Sequence, residues 1–301
     1  MKRAATALLL APLALLVALR APQPVFAGAL LILNFIAQRE LLDLGEACEL
    51  RPHRRLALLG GLWLVLLLSH LAGDWALALH AAWPGGRLLL YLAPLFDPFA
   101  AMMLAMAAVL AAALLRGGRL PQIAADSGFT LLALFYPALF LGLLGQIRAN
   151  AGVWWVLFLL LVVWLGDVAA LYAGKAWGRR RLAERISPAK SWEGALASLA
   201  GALATGGLLA HFAPAVTLAL ARLHLLNFAF ARPFPLAPML LLALAVNLAA
   251  QVGDLAESAL KRGAGVKDSG ALLPGHGGLL DRIDAMLLAI PVLWYYLYLR
   301  S

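Results

Sequence analysis

Residues 253–284 read GDLAESALKRGAGVKDSGALLPGHGGLLDRID, and they connect two apolar stretches at 236–260 and 281–299. A helix needs roughly 20 mostly apolar residues to cross a bilayer, and both stretches approach that length. The connecting run concentrates charged residues, glycines and a histidine, whereas most of the chain is apolar. Polar groups placed against a membrane are costly and typically functional. The sequence therefore predicts two membrane helices joined by a functional loop.

The composition indicates a membrane protein. Of the 301 residues, 64% are hydrophobic and 13% are charged, whereas soluble domains are about 45–50% apolar and about 25% charged. The single cysteine, Cys48, excludes an intramolecular disulfide and a cysteine-rich zinc site. We therefore predict an all-α, polytopic integral membrane protein, with residues 1–301 forming one membrane-embedded domain.

Hydropathy predicts about nine transmembrane helices. The segment 74–96 is a poor additional candidate because Pro84-Gly85-Gly86 interrupts it, and we interpret it as re-entrant or interfacial. The nine candidate spans are residues 5–20, 24–43, 56–72, 97–115, 128–145, 152–174, 193–213, 236–260 and 281–299.

The basic residues predict the orientation of these spans. With a cytoplasmic N-terminus, most of the 24 Lys and Arg residues fall on the cytoplasmic side, as the positive-inside rule requires. The polar loops 175–192 and 261–281 then lie at the cytoplasmic face. The net charge of +9 needs no nucleic-acid partner, because topology and anionic membrane lipids account for it. Abundant Ala, Leu and Arg are typical of a GC-rich bacterial genome, which predicts the bacterial inner membrane.

Paired carboxylates flank the loop 261–281. Asp254 and Glu257 share one helical face at the end of the eighth span, and Asp281 and Asp284 do so at the start of the ninth. Hard divalent cations bind such oxygen ligands, and Mg²⁺ typically takes carboxylates together with substrate phosphates. As an alternative, the last two aspartates could simply stabilise a helix N-terminus.

The same loop carries phosphate-binding residue types. Its glycines allow backbone N–H groups to approach an anion closely, and its basic side chains suit phosphate groups. The basic side chains are Lys261, Arg262, Lys267, His276 and Arg282, and the glycines are Gly275, Gly277 and Gly278. Lys261 and Arg262 could also be ordinary membrane anchors. Carboxylates and cations on one loop predict metal-dependent phosphoryl or nucleotidyl transfer. We therefore assign catalysis to residues 151–301 and a mainly structural role to residues 1–150.

A second polar loop, 175–192, offers groups for a nucleotide. Ser187, Lys190 and Ser191 supply hydroxyls and a cation, and Trp192 could stack on a base or anchor at the interface. Glu193 could accept a hydrogen bond from a base or complement the helix dipole.

These residues resemble the phosphatidate cytidylyltransferase family, also called CDP-diacylglycerol synthases. The resemblance covers Ser258 to Asp284, which fits S-x-x-K-R, K-D, H-G-G and D-R-x-D at the family's spacing. The segment 187–194 resembles the family's S-P-x-K-T-W-E-G element. Around Asp167 the chain departs from the family's usual Asp-Thr/Ser-Gly-Ala-Tyr.

The resemblance implies that CTP and phosphatidic acid give CDP-diacylglycerol and pyrophosphate at the cytoplasmic membrane surface, as a step of phospholipid biosynthesis. It implies Asp254, Asp281 and Asp284 as ligands of Mg²⁺, with a second cation as a further candidate, and Lys261 and Lys267 as catalytic cations. The implied substrate-binding residues are Ser187, Lys190, Ser191, Trp192, Glu193, Arg262, Asp268, His276, Gly277, Gly278 and Arg282. Membrane lipids and a second copy of the chain, as a homodimer, are candidate partners.

Three other functions compete with this interpretation. Another CTP-dependent lipid enzyme, such as a polyprenol kinase or a synthase using a different lipid phosphate, would need similar groups. A CDP-alcohol phosphotransferase would carry a D-G-x-x-A-R pattern that the sequence lacks. An ion-coupled transporter would usually show internal repeats, which we do not find.

Overall fold

The computed structural model describes residues 12–69, 96–117, 120–272 and 277–300. Residues 12–20 are helical, and eight further helices and two short strands follow within the described part of the chain. The helices are α1 (Gln23–Ala47), α2 (Arg54–Leu68), α3 (Pro98–Arg116), α4 (Leu120–Asn150), α5 (Val153–Trp177), α6 (Trp192–Arg222), α7 (Leu236–Gly263) and α8 (Leu280–Tyr298). The strands are β1 (Arg181–Ala183) and β2 (Ser187–Ser191).

Six of the described helices, α1 and α3 to α7, are long and apolar enough to cross a membrane. The chain is therefore a helical, polytopic membrane protein. Helix α2 spans only 15 described residues, and α8 carries Asp281, Arg282 and Asp284 in its first turns. The predicted segment 74–96 lies almost wholly outside the described residues, as does much of the span 5–20. The count of nine spans thus stays a prediction.

Two helices extend well beyond their predicted spans. Helix α6 continues to Arg222, past Pro214, and α4 begins eight positions before the predicted start of its span at residue 128. The added start of α4 contains polar residues that hydropathy excludes. The added end of α6 is apolar but follows Pro214, a residue that usually ends a predicted helix.

Small residues allow the C-terminal helices to pack closely. A Cβ on Gly201 of α6 would come 2.9 Å from the Ala169 Cβ of α5, and one on Gly206 would come 2.5 Å from the Ala243 Cβ of α7. Helices in membranes associate through such small residues because their backbones can then approach. Helix α5 is central to this group and buries Trp154 and Phe158 completely or nearly so.

A buried amide joins the N-terminal helices. Gln38 of α1 donates hydrogen bonds to the carbonyl of Ala57 in α2 at 3.0 Å and to those of Ala133 and Leu134 in α4 at 3.0 and 3.2 Å. Because every acceptor is buried with its donor, this amide fixes the spacing of three helices.

The second polar loop contains a small sheet. Strands β1 and β2 pair antiparallel, with Arg181 opposite Ser191 and Ala183 opposite Ser187. The sequence predicts a loop over 175–192 without any strand, whereas the structure has two strands there. A hairpin this short leaves little periodicity in the sequence, and Pro188 within β2 argues against a strand. The hairpin holds Lys190 on a defined element instead of a free loop.

Candidate active site

A lysine between two carboxylates lies at the centre of the site. The Lys261 Nζ is 2.5 Å from the Asp281 Oδ1, and it also forms an ion pair with Glu257, one turn earlier on α7. The Glu257 side chain is fully buried. Lys261 therefore joins the end of α7 to the start of α8. The sequence pattern pairs Glu257 with Asp254, but Glu257 is not among the predicted site residues.

Asp281 also anchors the loop that joins the two helices. Its Oδ2 accepts hydrogen bonds from the Ser269 backbone N–H at 3.0 Å, the Ser269 Oγ at 3.1 Å and the Gly278 N–H at 2.8 Å. A carboxylate oxygen has more than one lone pair, so Oδ1, which accepts only from Lys261 among these groups, can still bind a cation.

Asp254 and Asp284 lie where α7 crosses α8. A Cβ on Gly253 would come 2.6 Å from the Asp284 carbonyl oxygen and 3.4 Å from the Ala285 Cα, so the two backbones touch at this glycine. The Asp284 residue is 8% exposed, and its Oδ1 accepts from the Ala285 N–H at 2.7 Å. Asp167 of α5 lies close enough to both aspartates to act on them electrostatically. Asp167, Asp254 and Asp284 thus come from three helices and lie within electrostatic range of one another.

The two polar loops meet at this crossing. The Lys190 Nζ of β2 is 2.6 Å from the Asp254 Oδ2. The Arg262 Nε, at the end of α7, donates to the Ile186 carbonyl of the hairpin at 3.2 Å. Cations from both loops therefore lie beside the carboxylates of α7 and α8.

Other residues of the second loop have local roles. The buried Ser191 caps α6 by accepting the Gly194 N–H at 3.2 Å, a structural role that the sequence analysis did not give it. Glu193 accepts from the backbone N–H groups of Arg179 and Arg180 at 3.2–3.3 Å. Glu193 thus uses its carboxylate to hold the preceding turn. Trp192 is 53% exposed, and Ser187 begins β2.

The remaining predicted residues lie along the first loop. Gly277 has a φ of 78°, and a Cβ there would come 2.6 Å from the Asp281 Oδ2, so the position needs glycine. Three of these predicted residues have exposed side chains, namely Lys267, Asp268 and Arg282. His276 lies outside the described residues.

The carboxylates at this crossing are oxygen donors, the type of ligand that hard divalent cations take. Within the described ranges, no three His, Cys, Asp or Glu side chains are close enough to enclose a metal ion as they stand. Asp284 is nevertheless a buried carboxylate beside the carboxylates of Asp254 and Asp167. Like charges gathered in a partly buried place are stabilised by nearby cations, and Lys190 already lies 2.6 Å from the Asp254 Oδ2.

One acidic residue near the site was not predicted. Glu40 of α1 hydrogen bonds to Ser269 and to the start of α8, more than 220 positions away along the chain. Its signal in the sequence was an acidic side chain inside the predicted span 24–43, where such residues are rare unless they have a partner.

The sequence is similar to those of known proteins. The sequence profile described as "Cytidylyltransferase family" matches residues 1–300. Three curated relatives carry the name phosphatidate cytidylyltransferase. The Haemophilus influenzae protein is 37% identical over 147 residues, which are 49% of this chain and 46% of the relative. The Brucella melitensis protein is 43% identical over 141 residues, 47% of this chain and 46% of the relative.

The Bacillus subtilis relative is 36% identical over 178 residues, which are 58% of this chain and 60% of the relative. In the first two comparisons, the chain spans about half the length of the curated relatives it matches.

Proposed function

Because the chain belongs to the cytidylyltransferase family, which its match over residues 1–300 shows, we propose that it makes CDP-diacylglycerol and pyrophosphate from CTP and phosphatidic acid. The relatives named phosphatidate cytidylyltransferase support this choice of substrates. The observation that carries the proposal is the meeting of both polar loops. Lys190 and Lys261 lie there against Asp254 and Asp281, so cations for phosphates and carboxylates for a metal share one place.

The proposed reaction needs charge neutralisation more than a general base. The phosphate monoester of the lipid is already anionic at neutral pH, so its oxygen can attack the α-phosphorus of CTP directly. The bond from that oxygen to the α-phosphorus forms, the bond to the bridging α–β oxygen breaks, and pyrophosphate leaves. Two anions must be brought together, and positioned cations lower the cost of doing so.

In this proposal, two lysines bind substrate phosphates and three aspartates bind the metal ion. Lys261 uses two of its three N–H donors on Glu257 and Asp281, which leaves one for a substrate phosphate. Lys190 contributes from the hairpin, on the CTP side. Asp254, Asp281 and Asp284 would hold Mg²⁺, which when bound neutralises charge on the reacting phosphates.

Position-specific labels on CTP test the proposal directly. The purified protein in detergent micelles, with phosphatidic acid and Mg²⁺, should move the α-phosphate label of CTP into the lipid and release the γ-phosphate label as pyrophosphate. A γ-label recovered in the lipid would establish a kinase, the nearest rival. Faster labelling of another lipid phosphate would show that the acceptor is not phosphatidic acid. If neither label of CTP appeared in any product, the proposal would be rejected.

We further propose nine spans in the bacterial inner membrane, a cytoplasmic N-terminus and a cytoplasmic site. The proposal is supported by the distribution of Lys and Arg, since water-soluble CTP must reach a membrane lipid from the same side. Cys48, partly exposed at the end of α1, is the only thiol of the chain and provides the probe. An impermeant maleimide should label it in inside-out vesicles and not in intact spheroplasts.

The matched control moves the thiol to a turn that we place on the opposite side of the membrane. The Cys48→Ser, Ala151→Cys double variant places it in the exposed turn between α4 and α5, and we expect the opposite labelling pattern. If the maleimide labelled Cys48 in spheroplasts and did not label the Ala151→Cys thiol there, the orientation would be the opposite of the one proposed.

A further inference from the structure

We propose that Glu40 of α1 is a positioning residue for the loop between α7 and α8, setting the start of α8 and with it Asp281. This inference rests on the proposed function only in its effect on turnover. It gives the N-terminal helices an indirect part in the site, through Ser269 and Asp281.

The first support is the set of hydrogen bonds made by one buried carboxylate. The Glu40 Oε1 accepts from the Leu279 N–H at 2.9 Å, and the Oε2 accepts from the Leu280 N–H at 2.7 Å. The Oε2 also lies 3.0 Å from the Ser269 Oγ, whose single hydroxyl proton is shared between Glu40 and Asp281. Glu40 is 7% exposed, so both oxygens are satisfied by the loop and the helix start.

The second support is that α8 cannot cap itself. Its N-cap residue, Leu279, has no side-chain acceptor, whereas the first N–H groups of any helix lack partners within the helix. A carboxylate at that end satisfies them and also interacts favourably with the helix dipole. Glu40 supplies this carboxylate from a helix that is remote in the sequence.

The third support is the shape of the loop around the carboxylate. A Cβ on Gly270 would come 2.7 Å from the Glu40 Oε1, and one on Gly278 would collide with the Oε2. The loop backbone therefore lies directly against Glu40 on two sides. A side chain at either position would therefore displace the Glu40 carboxylate or the loop itself.

Ser269 connects this contact to the active site. Its Oγ lies 3.0 Å from the Glu40 Oε2 and 3.1 Å from the Asp281 Oδ2, and its N–H donates to Asp281. Asp281 in turn binds Lys261. A displacement of Glu40 would thus pass through one serine to the carboxylate and the cation of the site. Glu40 itself acts through these groups and is not a catalytic residue.

The variant Glu40→Gln tests the inference with little change in shape. It replaces one acceptor oxygen by an NH₂ group, which would face backbone N–H donors. Hydrogen exchange of the substrate-free protein should quicken by about tenfold at Leu279 and Leu280, since a bond to a charged acceptor is worth at least that factor. The kcat should fall between about tenfold and a hundredfold, because small misplacements of catalytic groups cost this much. The KM for CTP should change little.

Two controls separate positioning from general damage. Glu46→Gln makes the same chemical change on α1 at an exposed carboxylate paired with Arg54, and it should leave exchange and kcat unchanged. Gln38→Met removes the amide that joins α1, α2 and α4. It should lower thermal stability while the exchange at Leu279 and Leu280 stays as in the wild type.

The outcomes distinguish this inference from the proposed function. Wild-type protection of Leu279 and Leu280 in Glu40→Gln, or faster exchange with an unchanged kcat per folded molecule, would overturn the positioning role. If the wild type makes no labelled lipid, the proposed function fails, yet the exchange experiment still decides whether Glu40 sets the start of α8.

Discussion

Replacing Asp284 by asparagine should lower kcat by about a thousandfold. A metal ion that neutralises phosphate charge is worth several kcal/mol in the transition state, and each ~1.4 kcal/mol is a factor of ten in rate. Asp284 is buried at the crossing of α7 and α8, beside Asp254 and Asp167. The asparagine side chain would keep the shape of the aspartate but lose the negative charge that we propose attracts the cation.

The fold should survive this change. The hydrogen bond that Asp284 accepts from the Ala285 N–H can equally be accepted by an amide oxygen. Without Mg²⁺ the variant should be at least as thermally stable as the wild type, because repulsion from Asp254 and Asp167 is removed. Added Mg²⁺ should raise the Tm of the wild type and leave that of the variant unchanged.

Asp126 provides the matched control. It is a buried aspartate of α4, 6% exposed, that accepts from the Arg51 N–H. Asp126→Asn should retain the wild-type kcat and the Mg²⁺-dependent rise in Tm. Equal turnover by Asp284→Asn and the wild type, or an equal Mg²⁺ effect on their Tm values, would refute the metal assignment.

Hydropathy predicts most of the described helices because each must satisfy its own backbone in the bilayer. Helix α1, Gln23–Ala47, contains the whole predicted span 24–43, and α8, Leu280–Tyr298, covers all of 281–299 except its last residue. The ends are less predictable. The predicted span of α6 stops before Pro214, yet the helix continues through this proline to Arg222. The early start of α4 at Leu120 includes Gln122, Asp126 and Ser127, polar residues that a hydropathy window excludes.

The site was predictable where its residues are neighbours in sequence. The spacing of Glu257 and Lys261 places them one turn apart on a helix, and the structure shows that ion pair. Contacts between distant segments leave no local pattern. The partner of Glu40 is a loop over 220 residues away, and the pairing of Lys190 with Asp254 depends on a hairpin that hydropathy does not reveal.

Replacing Lys261 by methionine should both lower the stability of the protein and abolish its activity. The change leaves the fully buried Glu257 without its cation and removes one partner of Asp281. Breaking a buried ion pair from one side costs about 3–5 kcal/mol, because an uncompensated charge stays behind. Thermal unfolding in micelles should show a large fall in Tm. The control Lys175→Met, an exposed lysine at the end of α5, should change the free energy of unfolding by less than about 0.5 kcal/mol.

A double variant separates the two losses. Lys261→Met with Glu257→Gln removes the buried charge together with its partner, and a neutral pair of similar volume is often tolerated. Asp281 keeps its bonds from Ser269 and Gly278, so the Tm should return toward the wild-type value. Label transfer from CTP should stay lost, because the lysine N–H that we propose binds the substrate phosphate is still missing. A double variant that recovers both stability and turnover would show that Lys261 only balances the charge of Glu257.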